Sequence, residues 1–100
     1  MQKVAILLTV HNRREKTLAC LRNCYQQIDS MKGDDSWSFS VYLVDDGSTD
    51  GTSEAVSEEF PQAVIIRGDG NLFWNHGMIT AWEAAAADGQ DFYLWLNDDT

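Results

Sequence analysis

Apolar residues follow two different patterns along this chain. Mainly apolar runs, typical of strands buried on both faces, occur at residues 3–9, 39–44, 63–67 and 92–96. Between them, apolar positions three and four residues apart, or runs rich in alanine, predict helices over residues 13–28, 52–60 and 73–87. The polar segment 30–38 contains Gly33 and predicts a loop, and Thr52 is predicted to cap the second helix.

Strands and helices that alternate with so few residues between them predict right-handed βαβ units. The expected fold class is therefore α/β, with a mostly parallel sheet of about four strands flanked by helices on both faces, in one domain over residues 1–100. Such sheets bind ligands outside the carboxyl ends of their strands, where the strand order reverses. Polar clusters follow three of the strands, at residues 9–13, 45–50 and 97–100, and we expect them to form one site.

The composition favours a folded domain, because 44% of the residues are hydrophobic and 11% are aromatic. No run approaches the roughly 18 to 20 apolar residues of a membrane span. The start, Met1-Gln2-Lys3, lacks the pattern of a signal peptide, so a cytoplasmic location is expected. Cys20 and Cys24 lie four residues apart on a predicted helix and are expected to be reduced, packing thiols.

The net charge of -9 excludes nucleic acid as a partner, because there is no basic stripe to neutralise phosphates. A nucleoside diphosphate would be repelled by the same charge unless a cation intervened. Carboxylates can hold Mg²⁺ or Mn²⁺, and the cation can hold the phosphates.

The last four residues, Asn97-Asp98-Asp99-Thr100, follow a buried strand. Adjacent carboxylates repel each other unless a cation or a proton lies between them, and oxygen ligands suit Mg²⁺ or Mn²⁺. The alternative is a solvated turn that caps a helix, for which Asp and Asn are ordinary residues.

The cluster at residues 45–51, DDGSTDG, has the same two interpretations. It is either a tight turn with helix capping, which Gly47 and Gly51 suit, or a site where Asp45 accepts a hydrogen bond from a base or a ribose. An EF-hand is excluded, because the closing Glu at the twelfth position is missing.

The cluster at residues 9–14, TVHNRR, is a strand-to-helix turn. It has neither P-loop spacing nor the G-x-G-x-x-G pattern, so it does not predict a glycine loop around phosphates. His11 is a poor candidate for a general base, because no suitable Ser or Cys nucleophile accompanies it.

Together these segments resemble the inverting glycosyltransferases of family 2, which have a GT-A fold. The resemblance rests on VAILLTVHNRREKTLACL, VYLVDDGSTDGT and YLWLNDDT, in the family's order and spacing, and it covers essentially the whole chain. The stretch at 70–74, GNLFW, is similar to the rhamnosyltransferase-like branch. The resemblance implies the Rossmann-like, nucleotide-binding half of a GT-A fold, with a nucleotide-diphosphate sugar as donor.

The resemblance also implies roles for the residues around the nucleotide. Thr9, His11 and Arg13 would lie around the base and ribose, with His11 contributing a backbone or stacking contact. Asp45 would hold the base through its ring N–H, and Asp46 would shape the turn.

Further roles follow for the diphosphate and the metal. Arg67 is a weaker candidate for the base or diphosphate. Asp99 would be the metal ligand, with Asp98 near the ribose or the metal. Asn97 stands where the family's Asp-any-Asp motif has its first Asp, which leaves the division of roles between Asp98 and Asp99 open.

The implied reaction is a direct displacement at the anomeric carbon, in which the metal neutralises the departing nucleoside diphosphate and a carboxylate base deprotonates the acceptor. The acceptor would be a glycan or lipid-linked hydroxyl in polysaccharide synthesis, at the inner face of the membrane. In this family the base and the acceptor site follow the metal motif, so both are expected beyond Thr100 and these 100 residues are expected to be inactive alone. We also expect self-association through uncovered apolar surface that includes Phe92 and Trp95.

Two other functions fit the sequence less well. A sugar nucleotidyltransferase would need a glycine-rich basic loop after the first strand, and TVHNRRE lacks the glycines. A non-catalytic, receiver-like Mg²⁺-binding module would need a Lys at a later strand end, and no Lys follows the third or fourth strand.

Overall fold

The computed structural model describes residues 2–30, 36–70 and 72–96, with the backbone alone for residues 73–75. The strands are Gln2–Val10 (β1), Trp37–Asp46 (β2), Val64–Gly68 (β3) and Phe92–Trp95 (β4), and the helices are Arg14–Asp29 (α1), Thr52–Glu59 (α2) and Phe73–Ala87 (α3). The predicted alternation of strand and helix is therefore confirmed over the described residues.

The four strands form one sheet in the order β3-β2-β1-β4, and every pairing is parallel. From β1 the chain moves outward to β2 and β3, and then it crosses back to add β4 on the other side of β1. The strand order therefore reverses at β1, which is where the carboxyl ends of parallel strands form a ligand crevice.

Alternate residues of the strands build two separate apolar layers. Ile6 and Leu8 of β1 pack on the side of α1 and α2, whereas Ala5 and Leu7 pack on the side of α3. This period of two is what a strand covered on both faces requires. The prediction of helices on both sides of a parallel sheet is confirmed.

The central strands are longer than the apolar runs that predicted them. Residues 39–44 were predicted for β2, but the strand extends from Trp37 to Asp46. The reason is its pairing with both neighbours: β1 runs unbroken from Gln2 opposite Trp37 to Val10 opposite Asp45, and Gly68 of β3 lies opposite Asp46. Both acidic residues at the start of the DDGSTDG cluster are therefore strand residues rather than turn residues.

The predicted cap of α2 was wrong. Gly51, in the left-handed conformation, occupies the N-cap position, and Thr52 is the first helical residue. Instead, the carboxylate of Asp50 accepts hydrogen bonds from the backbone N–H and the hydroxyl of Thr52. The capping oxygen thus comes from one residue before the N-cap.

Several apolar side chains remain exposed, most of them on or beside β4. Phe92, Leu94 and Trp95 are each about half exposed, at 51%, 51% and 50%. Self-association through this surface stays a prediction. In the part of the chain that the structure describes, no helix has the length and apolar character that crossing a membrane requires.

The cysteines agree with the prediction of packing thiols. Cys20 and Cys24 are both half-buried thiols rather than a disulfide, and they pack against the apolar layer under α1. Burial raises the pKa of the Cys24 thiol, so it is less reactive than an exposed cysteine.

Tyr42 joins the centre of the sheet to the end of α3. Its hydroxyl donates to Asp88 Oδ2 at 2.5 Å and accepts from Gln90 Nε2 at 3.1 Å. The hydroxyl of Tyr25 is also buried but has no hydrogen-bond partner among the described residues. Burial raises the pKa of each tyrosine to about 12, with the Asp88 bond as a second cause for Tyr42.

Tyr42→Phe is expected to lower the free energy of unfolding at pH 7 by about 1 kcal/mol, because two hydrogen bonds are lost. Tyr25→Phe, the matched control, is expected to change it little. Since burial holds the folded pKa of both above an unfolded value of about 10, the stability of the unmodified chain is unaffected by their titration below pH 10 and falls as the pH rises toward 12, because unfolding then releases protons. Urea unfolding of the three proteins from pH 7 to 11 measures this; equal losses for the two variants at pH 7 would contradict it.

Candidate functional site

The turns that follow β1, β2 and β3 meet at the carboxyl edge of the sheet. Val10 is paired with Asp45, and Asp45 is paired with Arg67 on the next strand. Among the predicted site residues, those within the described part of the chain all lie on this edge: Thr9, His11, Arg13, Asp45, Asp46 and Arg67. The structure therefore brings the first two predicted clusters together.

Asp45 points toward α2 and is 4% exposed. Its Oδ1 accepts a hydrogen bond from the backbone N–H of Ser48 at 3.1 Å, and its Oδ2 accepts from the hydroxyl of Ser53. The carboxylate is thus buried and holds the β2–α2 turn against the start of α2. Its predicted contact with a base stays a prediction.

Asp46 points to the opposite side of the sheet and is equally buried, at 4%. Its Oδ1 accepts from the backbone N–H groups of Gly70 and Leu72 at 2.9 and 3.2 Å. It therefore shapes the β3–α3 turn, and its predicted role in the β2–α2 turn stays a prediction. Because successive strand residues face opposite ways, the two adjacent carboxylates are directed apart instead of repelling each other.

Gly47 allows the β2–α2 and β3–α3 turns to touch. Its φ of +71° lies in the left-handed region, and a Cβ placed on it would lie 2.7 Å from Gly70 N and 2.8 Å from Gly70 Cα. Only glycine fits such a backbone-to-backbone approach.

Asp50 connects the beginnings of two helices. Its Oδ2 accepts from the backbone N–H of Arg14, the first residue of α1, at 3.0 Å, while its Oδ1 accepts from Thr52, the first residue of α2. The Arg14 guanidinium donates in return to the Asp50 carbonyl at 3.2 Å. A negative charge beside two helix N-termini is favourable, because both helix dipoles present their positive ends there.

Arg67 ends near α2. Its Nη2 lies 2.7 Å from Glu54 Oε1, and both side chains are about two-thirds exposed. The hydrogen bond from the Arg67 guanidinium lowers the pKa of Glu54 below its ordinary value. An exposed pair of this kind adds little to stability, so Arg67 can exchange Glu54 for another anion at small cost.

Thr9 lies on the α3 side, beneath Gly77 of that helix. A Cβ on Gly77 would lie 2.6 Å from Thr9 Oγ1 and 2.9 Å from Thr9 Cβ. The Thr9 hydroxyl oxygen is buried and has no hydrogen-bond partner among the described residues. Thr9 thus contacts the helix closely, and its contact with a nucleotide stays a prediction.

Basic side chains line a cleft beside the start of α1. The cleft has a volume of about 450 Å³ and is lined by Asn12, Arg13, Arg14, Glu15, Lys16 and Asp50. Three of these six residues are cationic, in a chain whose net charge is -9. Glu15 and Asp50 offset two of the three cations, so the lining carries a formal charge of +1 (three minus two).

The predicted metal ligands Asp98 and Asp99 lie outside the described residues, as does Asn97. Within the described ranges, no group of three His, Cys, Asp or Glu side chains is placed to hold a metal ion. Asp45 and Asp46 accept hydrogen bonds from N–H and O–H donors that hold the turns. The acidic residues that follow β4 in sequence are Asp98 and Asp99.

Three residues that hold this edge together were given no individual role by sequence reasoning, namely Asn12, Asp50 and Gly77, although the first two lie in the predicted polar clusters. Asn12 accepts from the backbone N–H of Thr49 at 2.7 Å, which links the first two turns. An Asp shortly before a helix was a usable signal for Asp50. A lone glycine inside a helical pattern was the signal for Gly77, since such a glycine often marks a close packing contact.

The comparisons with known proteins agree with this architecture. The family described as Glycosyl transferase family 2 matches residues 5–100. No protein of curated function matches the chain. Among solved structures, the mannosyltransferase PcManGT from Pyrobaculum calidifontis, in complex with GDP-Man and Mn²⁺, is similar, with a TM-score of 0.75 and 24% identity over 96% of this chain and 27% of that one.

The structural likeness confirms the Rossmann-like GT-A fold, and the chain spans about a quarter of the length of that mannosyltransferase. The family match extends over nearly every residue of the chain and includes all three polar clusters. We therefore conclude that the chain belongs to glycosyl transferase family 2.

Proposed function

We propose that this chain binds a nucleotide-diphosphate sugar together with a divalent cation at the carboxyl edge of its sheet, as the donor-binding part of an inverting glycosyltransferase. The observation that carries the proposal is the meeting of three turns at the edge where the strand order reverses, in a chain of family 2. The mannosyltransferase of the same fold was solved with GDP-Man and Mn²⁺, which supports a donor and a metal of these classes.

The residues of this chain supply a rigid, partly cationic edge. Backbone N–H groups that donate to the carboxylates of Asp45, Asp46 and Asp50 hold the turns in place before any ligand arrives. A preformed site loses less conformational entropy on binding than a mobile one. Arg13 in the cleft and Arg67 on β3 offer positive charge for the nucleotide or its diphosphate.

We propose Asp99 and Asp98 as the metal ligands. When bound, Mg²⁺ or Mn²⁺ would neutralise the charge that develops on the departing nucleoside diphosphate. The acceptor that we propose is a glycan or lipid-linked hydroxyl in polysaccharide synthesis, and GNLFW at residues 70–74 favours the rhamnosyltransferase-like branch. We assign no catalytic base to a residue of this chain.

Thermal unfolding with UDP-, GDP- and dTDP-sugars, each with and without Mn²⁺, tests the proposal. The matching donor with Mn²⁺ at 100 times its dissociation constant is expected to add about 2.7 kcal/mol of stability, which raises the melting temperature of a domain of this size by roughly 10 to 20 °C. The donor alone and Mn²⁺ alone are expected to give much smaller shifts, because the cation bridges the diphosphate and the carboxylates.

Asp99→Asn is expected to remove most of the dependence on Mn²⁺. The matched control is Asp29→Asn, the same change at an exposed position in the last turn of α1. The proposed function is contradicted if none of the donors raises the melting temperature with Mn²⁺. The proposed metal ligands are contradicted if the shift is the same in Asp99→Asn as in the unmodified chain.

A further inference from the structure

Asn12 has an unusual backbone conformation at the turn between β1 and α1. Its φ is +50°, the one positive φ among the non-glycine residues that the structure describes. Asn tolerates this left-handed conformation better than most residues. The turn is fixed by the backbone N–H of Asn12, which donates to Ser48 Oγ at 2.8 Å.

The side chain of Asn12 lies between Thr49 and His11. Its Oδ1 accepts from the backbone N–H of Thr49 at 2.7 Å, and its Nδ2 lies 3.3 Å from His11 Nε2. The other ring nitrogen, His11 Nδ1, lies 2.6 Å from the carbonyl oxygen of Asp46. These contacts form one chain of hydrogen bonds from Thr49 through Asn12 and His11 to Asp46.

Both ends of this series of hydrogen bonds are backbone groups, and they determine which atom donates and which accepts in each bond. The Thr49 N–H can only donate, so the atom of Asn12 that faces it is the oxygen and the atom that faces His11 is the nitrogen. The Asp46 carbonyl can only accept, so His11 Nδ1 carries a proton. His11 Nε2 must then accept from Asn12, which is the neutral Nδ1–H tautomer.

We infer that Asn12 is a positioning residue: its amide fixes the tautomer and the ring plane of His11 and joins the β1–α1 turn to the β2–α2 turn. With both ring nitrogens engaged, His11 neither takes a proton from a substrate nor donates to one through Nε2. Its role at the edge is that of an oriented ring. The position of the His11 ring does not depend on the proposed function. Only the consequence rests on that function, namely that a nucleoside diphosphate binds to a carboxyl edge whose turns are already in place.

Two substitutions separate the side chain of Asn12 from its backbone conformation. Asn12→Gly keeps the left-handed backbone and the N–H that donates to Ser48, but it removes the bonds to Thr49 and His11. Asn12→Asp keeps the acceptor for Thr49 and replaces the donor to His11 by a second acceptor. Asn23→Asp, an exposed position in the middle of α1, controls for the added charge.

The first measurement is the imidazole ¹H–¹⁵N correlation spectrum of His11 at pH 7.5, without nucleotide. The unmodified chain and Asn23→Asp are expected to show the Nδ1–H tautomer. Asn12→Gly is expected to show a mixture of tautomers, and Asn12→Asp a proton on Nε2, because the new carboxylate offers that nitrogen only an acceptor. An unchanged Nδ1–H signal in both Asn12 variants would overturn the inference whatever the protein's function is.

The second measurement is the dissociation constant of UDP, GDP and dTDP with Mn²⁺ by calorimetry, at low and high salt. Asn12→Gly is expected to weaken binding of the preferred nucleotide about five- to tenfold, which corresponds to the loss of about one hydrogen bond. Equal affinity of Asn12→Gly and the unmodified chain would overturn the positioning role. If the unmodified chain binds none of the three, the proposed function and the binding role both fall, while the spectrum still decides whether Asn12 holds the ring.

Discussion

Gly77→Ala is expected to destabilise the fold by about 2 to 3 kcal/mol, although the same change in an ordinary helix would stabilise it by about 1 kcal/mol. The new methyl group would overlap Thr9. An ideal Cβ at residue 77 would come closest to Thr9 Cγ2, and it would lie only 2.6 Å from Thr9 Oγ1 and 2.9 Å from Thr9 Cβ. Strand β1 is central and cannot retreat, so α3 must move away from the sheet. Urea unfolding at pH 7 measures the loss.

Two companion variants identify the cause. Thr9→Ala combined with Gly77→Ala is expected to recover much of the stability, because it removes the Cγ2 and Oγ1 atoms that the methyl group meets. Ala86→Gly, at an exposed position near the end of the same helix, is expected to cost about 1 kcal/mol through helix propensity alone. A Gly77→Ala variant more stable than the unmodified chain would show that α3 does not rest on Thr9.

Asp50→Ala is expected to lower the free energy of unfolding by about 3 kcal/mol. The carboxylate satisfies the first N–H group of α1 and of α2, and each lost cap costs about 1 kcal/mol. The hydroxyl of Thr52, which is fully buried, would also lose its acceptor. Asp50→Asn is expected to cost about half as much, because its single oxygen can serve one helix at a time.

The free energy of unfolding at acid pH gives an independent test of the role of Asp50. The hydroxyl of Thr52 and the N–H groups of Arg14 and Thr52 lower the pKa of Asp50 below its ordinary value of 3.8. The stabilising contribution is therefore complete above about pH 4, and it is lost as the pH falls through the lowered folded value. The difference between the unmodified chain and Asp50→Asn should shrink below pH 4, whereas Glu58→Gln, at an exposed position of α2, should cost little at any pH. A difference that persists unchanged to pH 2 would refute the charge-dependent cap.

The order and type of the elements could be predicted because each obeys a local rule. The run at residues 3–9 is apolar on both faces, and only a strand covered by helices on both sides buries it. The ends of β2 could not be predicted in this way. Trp37 belongs to the strand because Gln2 of β1 lies opposite it, and Asp46 because Gly68 of β3 lies opposite it. Both pairings depend on residues far away in the sequence.

The location of the site could be predicted from the sequence, but the hydrogen bonds that hold its turns together could not. Carboxyl ends of parallel strands meet at one edge, so the position of Asp45 and Arg67 followed from the strands alone. The backbone N–H of Thr49 donates to Asn12 across 37 residues, and the backbone N–H of Arg14 donates to Asp50 across 36 residues. No local sequence pattern encodes either hydrogen bond. The partner of Arg67, which is Glu54, also depends on how α2 lies along β3.

The strand order also has a consequence for how the chain folds. Of the four strands that the structure describes, β4 comes last in the sequence and pairs with β1. The backbone N–H of Lys3 therefore donates to the carboxylate of Asp91, which lies 88 residues away in the sequence. At a ribosomal rate of about 5 to 20 residues per second, one side of β1 stays unpaired for several seconds after β2 has been made. Contacts of such long sequence separation slow folding, and we expect the nascent sheet to need protection of that open side until β4 emerges.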